Sequence, residues 1–303
     1  MRFVVVISIL VSFHSFGQYT PLQSQYLFNS IALNPAATGS EDVMSIVGTF
    51  RAQWVGFPGA PTTQALTAHA PLKDMNSALG VQLVCDQIGV DKRTAINGLY
   101  SYKFRFANSN LRLGISGGVN LVQSNYADLE VFTEGDEQIS SNSPVGVLPN
   151  FGVGAYYRAE KHFLSFSIPT LLGHRFENNH FRSYNDLKNY NFLFGGGYEF
   201  HLKNEMVLKP STLLKFRMNN RPQFDINAQL QLNSMFEVGL SYRTEEAIIG
   251  LFEAKITDQF HVMYSFGMPV SELAKYTFGS HELSIKYNFL YKSNTQSPRF
   301  SGW

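Results

Sequence analysis

A single cysteine, Cys85, stands in a chain of 303 residues, so no disulfide can form within the chain and a site built on several cysteine ligands is excluded. Charge is scarce as well. Only 16% of residues are Asp, Glu, Lys or Arg, and the formal net charge is +1, so no global field draws the protein to nucleic acid or to an anionic surface. Long apolar runs are missing beyond the first eighteen or so residues, and none approaches the ~18 that a transmembrane helix needs. What the chain has instead is aromatic side chains, at 14% of residues. Poverty in charge with wealth in Tyr and Phe is unusual for a soluble surface and points to a membrane barrel or an adhesive β-protein.

The amino terminus sets the compartment. Arg2 supplies a short positive region, Phe3 to Val11 an apolar core broken by Ser8, and Ser15-Phe16-Gly17 the small residues of a cleavage site before Gln18. Residues 1–17 therefore read as a signal peptide and are set apart from the fold.

Periodicity then selects strands. Leu111, Leu113, Ile115, Val119 and Leu121 share one parity against Arg112, Ser116 and Asn120. Ile226, Ala228, Leu230 and Leu232 alternate with Asn227, Gln229, Gln231 and Asn233, and Leu283, Ile285, Tyr287 and Phe289 with Ser284, Lys286 and Asn288. The same reading along the chain predicts about fourteen strands of roughly nine to twelve residues, the length a tilted strand needs to cross hydrocarbon. They fall near 43–54, 62–72, 78–86, 94–106, 110–123, 150–158, 162–168, 190–202, 205–217, 223–232, 235–243, 247–256, 259–267 and 280–290. The fold class that follows is all-β: a transmembrane antiparallel β-barrel with a short N-terminal segment outside the wall.

Connections sort by length. Lys73 to Asn76, Ala107 to Ser109, Ala159 to Lys161, Lys203-Asn204, Asn233-Ser234 and Thr257-Asp258 are tight turns, while the links from Ser124 to Asn150, Pro169 to Asn189 and Met268 to Gly279 are long. Short turns on the periplasmic end and longer loops outside is the outer-membrane pattern, and it puts both mature termini on the periplasmic side. The polar parity carries Arg51, Arg112, Arg158, Glu199, Lys215, Glu237, Arg243, Glu253 and Lys286, charges that suit a wet lumen better than a dry core.

Catalytic and metal-binding patterns are not found. The histidines stand singly, without ligand spacing, and no nucleophile elbow or zincin motif occurs. Asp128, Glu130, Glu134, Asp136 and Glu137 make one loop acidic without the spacing of an EF-hand calcium loop. Cys85 shares the apolar parity of Leu79, Val81 and Leu83 and reads as wall packing. The expectation is a chain that is not an enzyme and has no cofactor, catalytic residue or metal site.

Several motifs nonetheless stand out. Gln25-Tyr26-Leu27-Phe28-Asn29 is followed by Leu33-Asn34-Pro35-Ala36-Ala37-Thr38-Gly39-Ser40. Next come Arg51-Ala52-Gln53-Trp54-Val55-Gly56-Phe57-Pro58-Gly59-Ala60-Pro61, Ala68-His69-Ala70-Pro71-Leu72 and Leu79-Gly80-Val81-Gln82-Leu83, and near the end Gly279-Ser280-His281-Glu282-Leu283-Ser284. Together they resemble the PorP/SprF family, outer-membrane components of the type IX secretion system. One departure is Asn29-Ser30-Ile31-Ala32, where the family pattern has Asn-Pro ahead of the Asn-Pro-Ala core. The resemblance implies location in the outer membrane of a member of the Bacteroidota. It also implies support for secretion or surface attachment of large cargo proteins with a C-terminal signal domain, gliding adhesins among them. The implied partners are outer-membrane lipid, the cargo's C-terminal domain and periplasmic lipoproteins of the machine, with no nucleic acid.

Three readings compete: a barrel that holds cargo at its outer rim, a general porin for small solutes, and a rim enzyme. Residues 18–42 carry Leu27, Phe28, Ile31, Leu33 and Pro35 without β alternation, so they are expected to pack as a plug or at the periplasmic mouth, with a flexible tail as the alternative. Residues 43–303 form the barrel. Gln53, Trp54, Phe57, Pro58 and Pro61, in the first outer loop, are the candidate partner contact, because rigid aromatic area on Pro and Gly suits a binding hot spot. The bland alternative is an interfacial aromatic girdle.

Overall fold

Strict alternation forces each strand to show one face to lipid and the other inward, and the wall is built on that sorting. A computed structural model of the chain describes residues 24, 26–125, 143–177, 180–218 and 220–290. The segment read as a signal peptide and the acidic residues Asp128 to Glu137 lie outside the described residues.

The strands are β1 Met44–Ala52, β2 Thr62–Pro71, β3 Ser77–Ile88, β4 Asp91–Arg105, β5 Ser109–Ser124, β6 Gly146–Ala159, β7 His162–Ile168, β8 Gly173–Glu177, β9 His180–Tyr184, β10 Phe192–Tyr198, β11 Phe200–His201, β12 Val207–Phe216, β13 Gln223–Gln231, β14 Phe236–Arg243, β15 Ala247–Lys255, β16 Phe260–Pro269 and β17 Ser280–Phe289. Neighbours pair antiparallel, and β1 pairs with β17 from Met44↔Phe289 to Ala52↔His281. This pairing closes a barrel of 14 strands, with β10 and β11 forming one wall strand interrupted at Glu199. Closure leaves no edge to be satisfied in lipid.

Outward positions are apolar. Leu79, Val81 and Leu83 on β3, Leu113 and Ile115 on β5, Val238, Leu240 and Tyr242 on β14 and Leu283, Ile285 and Tyr287 on β17 are all exposed on the outer face. Cys85, on that parity of β3, is exposed too. The opposite parity carries Thr49, Arg51, Thr67, His69, Lys103, Arg112, Lys209, Asp225, Arg243, Glu282 and Lys286, every one buried. These charges do not stand in open water as a wet lumen would have it. They are packed against one another and against the N-terminal segment.

The long β4, β5 and β6, with 15, 16 and 14 residues, exceed the expected strands, and the β3–β4 link shrinks to Gly89-Val90. A further hairpin, β8–β9, lies within the expected loop 169–189. Each of its strands has a single Phe among polar residues, too few for alternation to show. The six turns expected to be tight all lie at the end where Met44 pairs with Phe289, while Gly89-Val90 and Thr244 to Glu246 are short links at the opposite end.

Candidate functional site: the filled lumen and its outer rim

Residues 24 and 26–42 occupy the barrel interior. Extended backbone cannot satisfy itself, so every polar group there needs a wall partner. Two short 3-10 turns, Ser30–Ala32 and Pro35–Ala37, meet part of that need locally. Side chains on the wall meet much of the rest. Ser101 Oγ donates to Thr38 O at 2.6 Å, Ser167 Oγ to Leu33 O at 2.7 Å and Gln82 Nε2 to Ala32 O at 3.2 Å. The Gly39 N–H donates to His69 Nδ1 at 3.0 Å, and Arg112 Nη2 reaches Gly39 O at 2.6 Å.

Asn34 is the hub. Its Oδ1 accepts from Ala36 N at 2.9 Å, capping the second turn, while Nδ2 donates to Ala155 O at 3.0 Å and Ser165 Oγ at 2.8 Å. Beneath it, Gly114 and Gly154 are cross-strand partners on β5 and β6. A Cβ on Gly114 would meet Ala36 N at 2.3 Å. This flat patch of wall is where the Asn-Pro-Ala motif rests. Apolar anchors complete the seat: Ile31, Ala36 and Ala37 pack with Tyr156 and Phe163, Tyr26 with Leu193 and Leu213, and Phe28 with Val47 and Met263.

Charged groups tie both ends of the lumen. Near the tight turns, Asp42 Oδ1 lies 2.6 Å from Lys103 Nζ and 3.1 Å from Arg112 Nη2, and Glu41 Oε1 lies 2.6 Å from Lys286 Nζ. At the other end, Arg243 Nε donates to Asp225 Oδ1 at 2.9 Å and Nη1 to Glu246 Oε1 at 3.0 Å. Burial pushes the Glu246 carboxyl up, but the charge and hydrogen bond of Arg243, with help from Arg51 and Gln223, together outweigh this and hold it below the usual range. Arg51 joins the same cluster, with Nη1 3.6 Å from Glu282 Oε2 and Nη2 4.0 Å from Glu246 Oε1.

The rim loop places the five candidate contact residues unequally. Gln53 and Pro61 are buried, and the Gln53 N–H donates to Pro61 O at 2.9 Å, closing the loop's neck. Trp54 is half-buried and held at φ 52°, a left-handed conformation that is strained for a bulky residue. Phe57 and Pro58 are exposed. The structure brings this loop onto residues 276–280: Val55 N–H donates to Gly279 O at 2.8 Å, Phe278 N–H to Val55 O at 2.7 Å and Trp54 N–H to Ser280 Oγ at 3.2 Å. Sequence reasoning missed Tyr276 and Phe278, which at 68% and 76% are, among the described residues, the most exposed large apolar side chains on this rim. Gly56 at φ 92° sits against the Phe278 ring, leaving no room for a Cβ. Among the described residues, no three His, Cys, Asp or Glu side chains converge as metal ligands.

The sequence profile described as type IX secretion system membrane protein PorP/SprF matches residues 15–287. The chain belongs to the PorP/SprF family. Membership, with a closed outer-membrane barrel, places it in the outer membrane as part of the type IX system. No curated protein matches it in sequence. Among solved structures it is similar to the Acinetobacter baumannii outer membrane protein Omp33, at TM-score 0.50 and 10% identity, covering 83% of this chain and 100% of that one. It is also similar to the CymD monoaromatic hydrocarbon channel, at TM-score 0.54 and 11% identity, covering 88% and 94%. At such identity these likenesses concern the fold alone.

Proposed function

We propose that this PorP/SprF barrel is a non-enzymatic holder: it supports secretion or surface attachment of large cargo by engaging the cargo's C-terminal signal domain at the outer rim. The observation that carries the reading is the occupied lumen. A general porin needs a continuous aqueous path, and here wall charges that could line one are buried against the Asn-Pro-Ala segment and each other. Work is left to the rim, where Phe57, Tyr276 and Phe278 stand exposed on two loops hydrogen-bonded together. Rigid aromatic side chains on a braced loop lose little entropy on docking, which favours a protein partner. Periplasmic lipoproteins of the machine would be met at the opposite end, by the tight turns.

The test is capture of a cargo's C-terminal signal domain by the detergent-solubilised full barrel. Saturable binding supports the reading. A barrel that ignores every such domain yet passes small solutes would return the porin reading.

A further inference from the structure

The segment inside the barrel has a direction. At Ser24 the neighbours are Arg51 and Glu282: the Ser24 N–H donates to Glu282 Oε2 at 2.8 Å, and Arg51 Nη1 lies 3.4 Å from Ser24 Oγ. Arg51 and Glu282 pair with each other near the β1 and β17 ends that carry the rim loops, far from the tight turns. Two residues on, Asn227 Nδ2 donates to the Tyr26 hydroxyl at 2.5 Å, at the middle of β13. Phe28 lies lower, against Val47 and the Lys286 ammonium, which sits 4.7 Å above its ring. Thr38 and Asp42 reach Ser101, Lys103 and Arg112, beside the tight turn between β4 and β5. The chain then turns at Asp42 and climbs β1.

A plug hanging from β1 and folding back would bring Ser24 close to Met44. Instead, Ser24 contacts Arg51, about seven residues and roughly 23 Å of strand away from Met44. The tight turns of an outer-membrane barrel are periplasmic and its longer loops external. We infer that the N-terminal segment is threaded through the barrel with its amino-terminal end, at Ser24, facing the cell exterior.

This end is latched to the rim. Glu282, which holds the Ser24 N–H, is two residues from Ser280, which holds the Trp54 N–H. A partner that moves the 53–61 loop therefore pulls on the first residues of β17 and on the seat of the threaded segment. The threading stands apart from the cargo reading, since it rests only on contacts inside the barrel and on its orientation.

The experiment places a protease-cleavable epitope immediately before Ser24 in the full chain. Matching epitopes at Glu245 and at Asn233-Ser234 mark the long-loop and tight-turn ends. In intact cells the Ser24 and Glu245 epitopes are expected to be cut together while the Ser234 epitope is spared. Cutting that follows the Ser234 epitope overturns the threading, whichever end proves external. Because an insert could disturb assembly, Glu282→Gln provides a version without one. Loss of the charged acceptor is expected to speed trimming of the Ser24 end by external protease about tenfold in intact cells. Trimming seen only after the outer membrane is opened, or not at all, overturns it.

Discussion

Asn34 stands over Gly154: a Cβ on Gly154 would come within 1.9 Å of Asn34 Oδ1. The approach is possible only because β5 and β6 offer bare backbone at this level, with Gly114 facing Gly154 across the ladder. Gly154→Val should therefore unseat the segment while leaving the wall pairing intact. The expected loss is about 1–3 kcal/mol, the usual cost of overpacking. The measurement is the urea midpoint of the heat-modifiable band, read alongside protease access to residues 24–42. A variant with an unchanged midpoint and a protected segment would show that the Asn-Pro-Ala motif does not rest on this patch.

The outer-mouth cluster depends on one close pair. Arg243 and Asp225 are both 1% exposed and share three hydrogen bonds, from Nε to both carboxylate oxygens and from Nη2 to Oδ2. Asp225→Ala leaves a buried guanidinium with Glu246 as its remaining carboxylate partner in the cluster, and should cost about 3–5 kcal/mol. Replacing both together with apolar residues should cost much less. A double-mutant cycle on barrel stability separates the two. Additive effects would mean that the pair does not act as a unit.

Glu246 carries the pH dependence of that cluster. Its carboxyl is held below the usual range in the folded barrel, so ionisation there favours the folded state. The contribution is fully present above the unfolded carboxylate value of about 4.3 and is lost as pH falls through the lower folded value. Melting temperature should drop on acidification in that window, and Glu246→Gln should flatten part of the drop. An identical acid limb in wild type and variant would contradict the assignment.

At the rim, two explanations of the aromatics separate cleanly. If Trp54 and Phe57 serve only as a lipid-interface girdle, Trp54→Ala with Phe57→Ala should impair assembly and leave assembled barrels competent to bind. If they contact cargo, assembly should be normal and cargo retention should weaken by roughly 2 kcal/mol or more. Phe278→Ala, on the loop braced against Val55, should share the second phenotype. Normal assembly with undiminished retention in all of these variants would remove the rim from the site.

Much of the wall could be read from alternation. The parity of Leu79, Val81 and Leu83 faces lipid and that of Arg51, Arg112 and Lys286 faces inward, because a period of two leaves no other choice once one face is apolar. Carried two residues past Arg51, the same parity puts Gln53 inward, which is where it is buried. The path of residues 26–42 was not legible, since Tyr26, Phe28 and Ile31 meet three different parts of the wall and follow no period. The partnership of Val55 with Gly279 joins segments more than 200 positions apart and left no local trace. Tyr276 and Phe278 escaped notice because a loop aromatic looks the same in sequence as a girdle aromatic. The upper part of β6 was missed because Pro149 falls inside it, paired with Val119.

The central claim is that the lumen is occupied, and planar-bilayer conductance tests it most directly. The full-length barrel should be electrically silent or nearly so, and deletion of residues 24–42 should open steady channels in barrels that still show heat-modifiable mobility. Equal unit conductance with and without the segment would contradict the account.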